Sequence, residues 1–398
     1  MLRSFSEDRA DIKRPVDTTA PGDNYEAHQA PLAYLLLAPI EGVLWHTGMP
    51  ITWRLRCLRF WLPISSMALF WLIVKVSPNR NAAFFMILTT EMFLASCGHV
   101  ANDGVAIPIF VWLFFEAERR SRLAVFLLAA GLLTKAYFLA VAPTVAWRLR
   151  AQWRWLLAAS ILPGAWYGRN LWLYGIVSGM QEQIDPLPLR DLIHAAIHLP
   201  WAFSLGGTFR GALWTGNNSF LQWSVWQVNL VIAGLLAALF VSLRRNYFRR
   251  RWLLGYAGCY LLALGYATIQ TFVYTKGSGA ASPWYATPLW LLFILVIFAG
   301  ETPGWVLSSF VTIWSYWFIT TFWFRLIPWY AGVMDGPATA ANLGRWYGAS
   351  FRQIYKEIGG PVLTLTLTAT LLVIATAVLI CRDFDGDANQ LRRPNRTS

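Results

Sequence analysis

Charge is scarce in this chain. Asp, Glu, Lys and Arg make up 13% of its 398 residues, against about 25% in a typical soluble domain, so its surface cannot be the surface of a water-soluble protein. Cysteine is scarce too. The four present, Cys57, Cys97, Cys259 and Cys381, lie in or beside apolar runs with no CxxC spacing, which excludes a disulfide framework and a cysteine-based metal site and leaves core packing as their role. The first 30 residues are polar and lack a basic segment followed by an apolar one, so no signal peptide is present there. Strict alternation at the strand period is absent, which argues against a membrane β-barrel. No internal repeat and no matched pair of broken helices is legible, which counts against the common transporter architectures.

What is abundant is apolar. Hydrophobic residues make up 57% and aromatic residues 16%, and the mean hydropathy is +0.44. Apolar runs approaching the 20 or so residues of a bilayer crossing recur along the chain, and only helices or closed barrels satisfy their backbone in lipid. The expected fold is therefore all-α, a polytopic helical membrane protein. Expected spans lie at 57–75, 81–100, 104–118, 122–134, 136–147, 154–168, 223–243, 252–271, 284–300, 305–323 and 361–381, about 11 in total. The run APLAYLLLAPIEGVLW from Ala30 is broken by Pro39 and Glu41 and is short for a crossing, so it reads as a re-entrant or interfacial helix. The net charge of +13 does not point to nucleic acid, because the arginines sit in short clusters between apolar runs, as orientation signals do.

Charge parity organises the middle of the chain. Residues 122–147 could be one tilted helix with Lys135 at its centre or two short crossings turning at Lys135. With two crossings, Arg119/Arg120/Arg122, Arg148/Arg150/Arg154, Arg244/Arg245/Arg249/Arg250/Arg251, the tail Arg382/Arg392/Arg393/Arg396, Lys75 and Arg80 all fall on one side. With one crossing they divide. The positive-inside rule selects the hairpin. It returns Asp103, which opens one run, and Lys135, which closes the next, to the opposite side, with Lys135 somewhat below that outer surface.

The same topology divides the chain into an extracytoplasmic N-terminal segment 1–56, a transmembrane core 57–323 with an outer loop 169–222, and a region 324–398 holding an outer segment, the last span and a basic cytoplasmic tail. Within the loop, PLRDLIHAAIHLPWAF reads as an amphipathic helix lying on the interface. Placing 1–56 outside leaves two alternatives: the short tail is translocated unaided, or a first span precedes this sequence, the expectation preferred because Arg3, Arg9, Lys13 and Arg14 oppose translocation of the tail.

Several segments, in order, carry a resemblance: YEAHQAPLAYLLLAPI at 25–40, VANDGVAIPIF at 100–110, GLLTKAYFLAVAP at 131–143, AWYGRNLWLYG at 165–175 and SPWYATPLWLL at 282–292. Together they resemble the GT-C-fold membrane glycosyltransferases that use polyprenyl-phosphate sugars, a superfamily including protein O-mannosyltransferases and lipid A aminoarabinose transferases. The likeness covers most of residues 25–300. It implies transfer of a sugar from a polyprenyl-phosphate donor to an extracytoplasmic lipid or glycan acceptor, in the bacterial cytoplasmic (inner) membrane. In that family the catalytic acid sits in the first outer loop after the first span, a position to which none of Asp17, Asp23 and Glu26 can be assigned.

Such transfer needs a base for the acceptor hydroxyl and a cation for the leaving phosphate. The candidate acid is Asp103, which after Asn102 also suits a helix cap. Lys135 is the candidate phosphate contact, with a snorkelling turn lysine as the plainer reading. Arg169 and Asn170 close the span at 154–168 on the same side and could contact phosphate or anchor the interface beside Trp166, Tyr167 and Trp172. His28 and Arg59 complete the candidate substrate-binding set. His194 and His198 have metal-compatible spacing, but no third ligand accompanies them, so no metal site is assigned. A divalent ion is the one cofactor this chemistry admits. The 23 tryptophans read mostly as interfacial anchors, with Trp201 and Trp214 as candidates for stacking on a sugar. Membrane lipids are the remaining partners. The rival function is a transporter or lipid flippase, for which Glu91 is the required intramembrane acid; a third is an N-terminally truncated, inactive relative of the glycosyltransferases.

Overall fold

The structure, a computed structural model, describes residues 30–98, 101–175, 177, 188–213, 225–244, 246–275, 283–323, 327, 355–356 and 359–391. Within them the chain is helical and contains no strand. The helices are α1 (Leu32–His46), α2 (Ile51–Ile73), α3 (Arg80–Leu88), α4 (Glu91–Gly98), α5 (Asp103–Glu118), α6 (Leu123–Leu132), α7 (Phe138–Arg148) and α8 (Trp153–Tyr174). They continue with α9 (Leu189–His198), α10 (Trp201–Leu213), α11 (Val225–Leu243), α12 (Tyr247–Thr275), α13 (Thr287–Ala299), α14 (Gly304–Thr321) and α15 (Gly360–Leu391). The chain is an all-α membrane protein: four segments, Ile51–Val76, Val225–Leu243, Tyr247–Val273 and Gly360–Phe384, are long and apolar enough to cross a bilayer.

Beside these stand helices too short to cross alone. Residues expected as one span at 81–100 form two helices, α3 and α4, broken at Thr89 and Thr90. The run from Ala30 forms the half-length α1, as its length required. The span expected to begin at 57 begins at Ile51, behind Pro50. The span expected to end at 168 continues to Tyr174, where Gly175 stops it in the left-handed region with φ +71°.

Hydrogen bonds between helices fix their directions. Arg249 donates from Nε to Glu118 Oε1 at 2.8 Å and from Nη1 to the Ala299 carbonyl at 3.0 Å. Arg148 donates to the Glu118 carbonyl at 2.8 Å, and Gln152 to that of Arg120 at 2.6 Å. Ser77 Oγ donates to the Phe298 carbonyl at 2.6 Å. The described basic residues of the clusters around Lys75, Arg119, Arg148 and Arg249 therefore gather at one end of the bundle. Residues 122–147 are two antiparallel helices, α6 and α7, rather than one, and the turn holding Lys135 points away from the basic end.

Three joints lock the short helices to the long ones. In α5, Pro108 has no N–H to offer the Gly104 carbonyl four residues back. Ser66 Oγ from α2 donates to that carbonyl instead. A Cβ on Gly104 would lie 2.7 Å from Leu62 Cδ2, so the glycine admits α2 at this distance. From α12, the residues Trp252, Tyr256 and Tyr260 project at helical spacing. Trp252 Nε1 donates to the Phe114 carbonyl at 3.1 Å and Tyr256 O–H to the Phe110 carbonyl at 3.0 Å. Tyr260 O–H donates to the Tyr285 carbonyl at 2.6 Å. Buried Trp290 and Trp314 donate similarly, to the carbonyls of Phe209 and Thr89. These tryptophans are not interfacial anchors; they hold helix to helix in the core.

The third joint closes the α6–α7 hairpin. The fully buried Phe138 ring lies directly over Gly131, and a Cβ there would overlap it. Gly131→Ala should therefore destabilise the protein by about 1–3 kcal/mol through overpacking, and Phe138→Leu in the same chain should recover part of the loss. Unfolding by a denaturing detergent, followed by helical circular dichroism, measures both.

Candidate functional site

Asp103 is the first residue of α5 and Lys135 follows the last turn of α6, so antiparallel packing of two short helices brings them together. They form an ion pair, Lys135 Nζ to Asp103 Oδ1. The preceding residues hold the strands of the turn in register: Asn102 Nδ2 donates to the Thr134 carbonyl at 3.1 Å, and Thr134 Oγ1 donates to the Ala130 carbonyl at 2.7 Å. Asn102 is in αR conformation and makes no side-chain cap to α5, so Asp103 is free of the helix-cap role and faces the lysine.

The lysine side is lined by aromatic rings. Its ammonium lies 5.1 Å from the Tyr285 ring centroid and 5.7 Å from that of Tyr137, inside the range of cation–π attraction. Tyr137, Tyr260 and Phe110 pack edge to face beneath it. Tyr285 and Tyr260 are the residues that sequence reasoning missed. The signal was present in the WYATP run before α13 and in the Trp252/Tyr256/Tyr260 stripe, whose spacing predicts one aromatic face.

Two long helices give the depth of the pair. On α2, Ser66 meets Gly104, beside Asp103, and lies about 15 Å from Val76 and about 22 Å from Ile51 at 1.5 Å per residue. On α12, Tyr260 lies about 20 Å from one end and about 22 Å from the other. The pair is therefore near the middle of helices that can span a bilayer whose hydrocarbon core is about 30 Å thick. This is deeper than the position somewhat below the outer surface that hydropathy suggests, because α6 and α7 are only about 15 Å and 16 Å long. The side chains remain 13% and 12% exposed, so the pair is not completely sealed in the core.

The other candidate residues divide. Asn170 is fully buried on α8, one turn beyond Tyr167, whose hydroxyl donates to the Leu132 carbonyl at 2.7 Å; the same helix face thus abuts the end of α6. Arg169 donates to Asn170 Oδ1 at 3.0 Å and covers the Trp166 ring at 4.9 Å. Both lie inside α8 rather than closing it, since the helix runs on to Tyr174 and ends at Gly175. Arg59 is exposed on α2, off the buried face of Arg54, Leu58, Leu62 and Ser66, and does not join the pair. Its neighbour Arg54 is committed to Glu41 and stacks over Trp45. His28 and Trp214 lie outside the described residues. Trp201 packs against Gly265 and donates to the Ala196 carbonyl at 2.8 Å, which removes it as a sugar-stacking ring. His194 and His198 stack at 4.1 Å. Among the described residues no three His, Cys, Asp or Glu side chains converge as metal ligands. Asp103 itself, bound to an ammonium, is a poor ligand for a divalent cation.

Glu91 opens α4 at the break after Thr90 and is 6% exposed. Its one polar neighbour is the Thr321 hydroxyl of α14, and no cation stands beside it among the described residues. Glu41, Asp103, Glu116 and Glu118 each pair with a cation, and Glu91 does not.

Removing one member of a buried pair strands the other. Asp103→Asn should cost about 3 kcal/mol or more, whereas Asp103→Asn combined with Lys135→Met should recover most of it. A double-mutant cycle in detergent unfolding reads the coupling, and additive losses would show that the two side chains act separately. Comparison of the chain with protein-family models, curated proteins and solved structures finds no match.

Proposed function

We propose that the chain is an integral membrane glycosyltransferase of the GT-C type, moving a sugar from a polyprenyl-phosphate donor to a lipid or glycan acceptor. The observation that supports it is the Lys135–Asp103 pair at the far end of the short-helix hairpin, an exchangeable cation and a candidate base in one recess. On this reading the basic end is cytoplasmic by the positive-inside rule, the recess opens to the other side of a bacterial cytoplasmic membrane, and about 11 helices enter the bilayer, some of them part-way.

The chemistry follows from exchange of partners. Donor phosphate brings an anion to Lys135, which pairs with the phosphate in place of the carboxylate and leaves Asp103 as the one unpaired charge, ready to take up a proton. Asp103, released, takes the proton of the acceptor hydroxyl as its oxygen bonds to the anomeric carbon. The bond from that carbon to the phosphate oxygen breaks, the phosphate departs with the electron pair, and the charge that develops there is met by Lys135. Asn170, buried on the adjoining face, is a further polar group for the sugar or phosphate.

Removing a group that meets developing charge costs on the order of 10²–10³ in rate. Lys135→Ala and Asp103→Ala should each lower sugar transfer by about that much in membranes supplied with polyprenyl-phosphate sugar, and Lys135→Arg should retain more activity than Lys135→Ala. Unchanged rates in both alanine variants would overturn the site.

A second reading, a proton-coupled carrier, is favoured by Glu91, buried at a helix break with no cation beside it among the described residues. The two readings separate on one variant: Glu91→Gln should leave sugar transfer within a few-fold of the parent. Substrate uptake into proteoliposomes that is lost in Glu91→Gln would instead support the carrier.

A further inference from the structure

A groove of about 400 Å³ runs between α11 and α14. Its α11 wall is a single stripe, Leu230, Gly234, Ala237 and Val241, and its α14 wall includes Trp305, Ser309, Ile313 and, at the inner end, Trp314. The small residues make the depression: Gly234 and Ala237 leave a notch that larger side chains would fill, and a Cβ on Gly234 would meet nothing within 4 Å. Leu230, Trp305 and Ile313 stand exposed along its rim, at 63%, 72% and 56%.

Three features identify what covers it. First, α11 is one of the helices able to cross a membrane, so the groove faces lipid rather than water. Second, its length from Leu230 to Val241 is about 16 Å, close to half of a hydrocarbon core about 30 Å thick. On α14 it runs from Trp305, at the basic end, about 14 Å to Trp314, which is bonded to the Thr89 carbonyl. That is the extent of one leaflet. Third, continuing the stripe by three residues past Val241 reaches Arg244, which is exposed at the end of α11 and shares that face. A cation thus stands at the headgroup level of an apolar channel, with Trp305 beside it at the depth where interfacial tryptophans sit. Glu301 is the acid nearest in sequence to this mouth.

We propose that this groove is a binding site for one anionic phospholipid of the leaflet at the basic end, with an acyl chain between α11 and α14 and its phosphate at Arg244. The site is in the opposite half of the protein from the recess of Lys135. It stands apart from the sugar-transfer reading, and an isoprenoid phosphate entering at the far side would not occupy it.

Full-length protein reconstituted in bilayers of mixed zwitterionic and anionic phospholipid, then transferred to detergent, is examined by native mass spectrometry. The parent should retain a bound phospholipid enriched in the anionic class. Gly234→Leu combined with Ala237→Leu fills the groove from exposed positions and should lower that occupancy about tenfold or more, a difference of about 1.4 kcal/mol. Its thermal unfolding should be unchanged, and Ser309→Leu, on the facing wall, provides the same block independently. Arg244→Gln should keep a lipid but lose the preference for the anionic class. Equal retention in the groove-filling variants, retention of an isoprenoid phosphate rather than a phospholipid, or no lipid on the parent would each overturn the site.

Discussion

A charge inside a bilayer must be neutralised where it stands, and most of this structure can be understood from how that is done for Lys135. An isolated ammonium at that depth costs several kcal/mol. Asp103 cancels it, and the rings of Tyr137 and Tyr285 offer further electrostatic attraction. The carboxylate reaches the lysine only because α5 and α6 are antiparallel and the turn after α6 is tied back by Asn102 to Thr134. That in turn requires a hairpin at 122–147 instead of one helix. A single pairing therefore constrains the direction of α5, α6 and α7 together.

The second constraint is length. Helices of 10, 11 and 13 residues, α6, α7 and α13, cannot cross a bilayer alone, and their ends expose carbonyls and N–H groups in a medium with no water to satisfy them. Neighbouring helices, the long α8 and α12 and the short α1, absorb this mismatch. Tyr167 on α8 donates to the Leu132 carbonyl at the end of α6, Leu32 N–H to the Leu133 carbonyl at 2.8 Å, and Tyr260 on α12 to the Tyr285 carbonyl before α13. Each donor meets a short helix near its terminus, at the level of the ion pair. The high aromatic content is thus partly a hydrogen-bond inventory: Tyr and Trp bring an apolar body that packs in the core and one donor that closes an open backbone group.

The all-α membrane class was legible because scarcity of charge and long apolar runs have one physical solution. The hairpin was legible because arginine clusters report sides independently of helix length. Depth was not legible. Hydropathy scores 104–118, 122–134 and 136–147 as it scores a full crossing, and nothing local says that Ser66 and Tyr260, halfway along their own helices, will meet the ends of shorter ones. Nor did the sequence separate a tryptophan at an interface from one in the core: Trp252, Trp290 and Trp314 have no local mark that distinguishes them from Trp305, and only the partner helix decides. The sequence placed Arg59 and Lys135 in one candidate set on charge alone, while the structure separates them. Arg59 is on an outward face and can reach water along its stem, whereas Lys135 is largely enclosed and is held by Asp103.

The ion pairs also show why neutrality matters more than the presence of charge. Glu118 and Arg249 form a pair of the same kind at the basic end, where the guanidinium also takes the Ala299 carbonyl. Its donors are spent on two different helix ends, so it acts as a clasp, and an incoming anion would have to break both contacts. Lys135 has one anionic partner and two ring faces, and ring faces do not depend on the identity of the anion. Pairing Lys135 with another anion would leave those contacts in place and free the Asp103 carboxylate as a charge that a proton can neutralise. The same two residue classes therefore make a fixed joint where the cation is multiply bonded and an exchangeable one where it is singly bonded, and only the second can take part in chemistry.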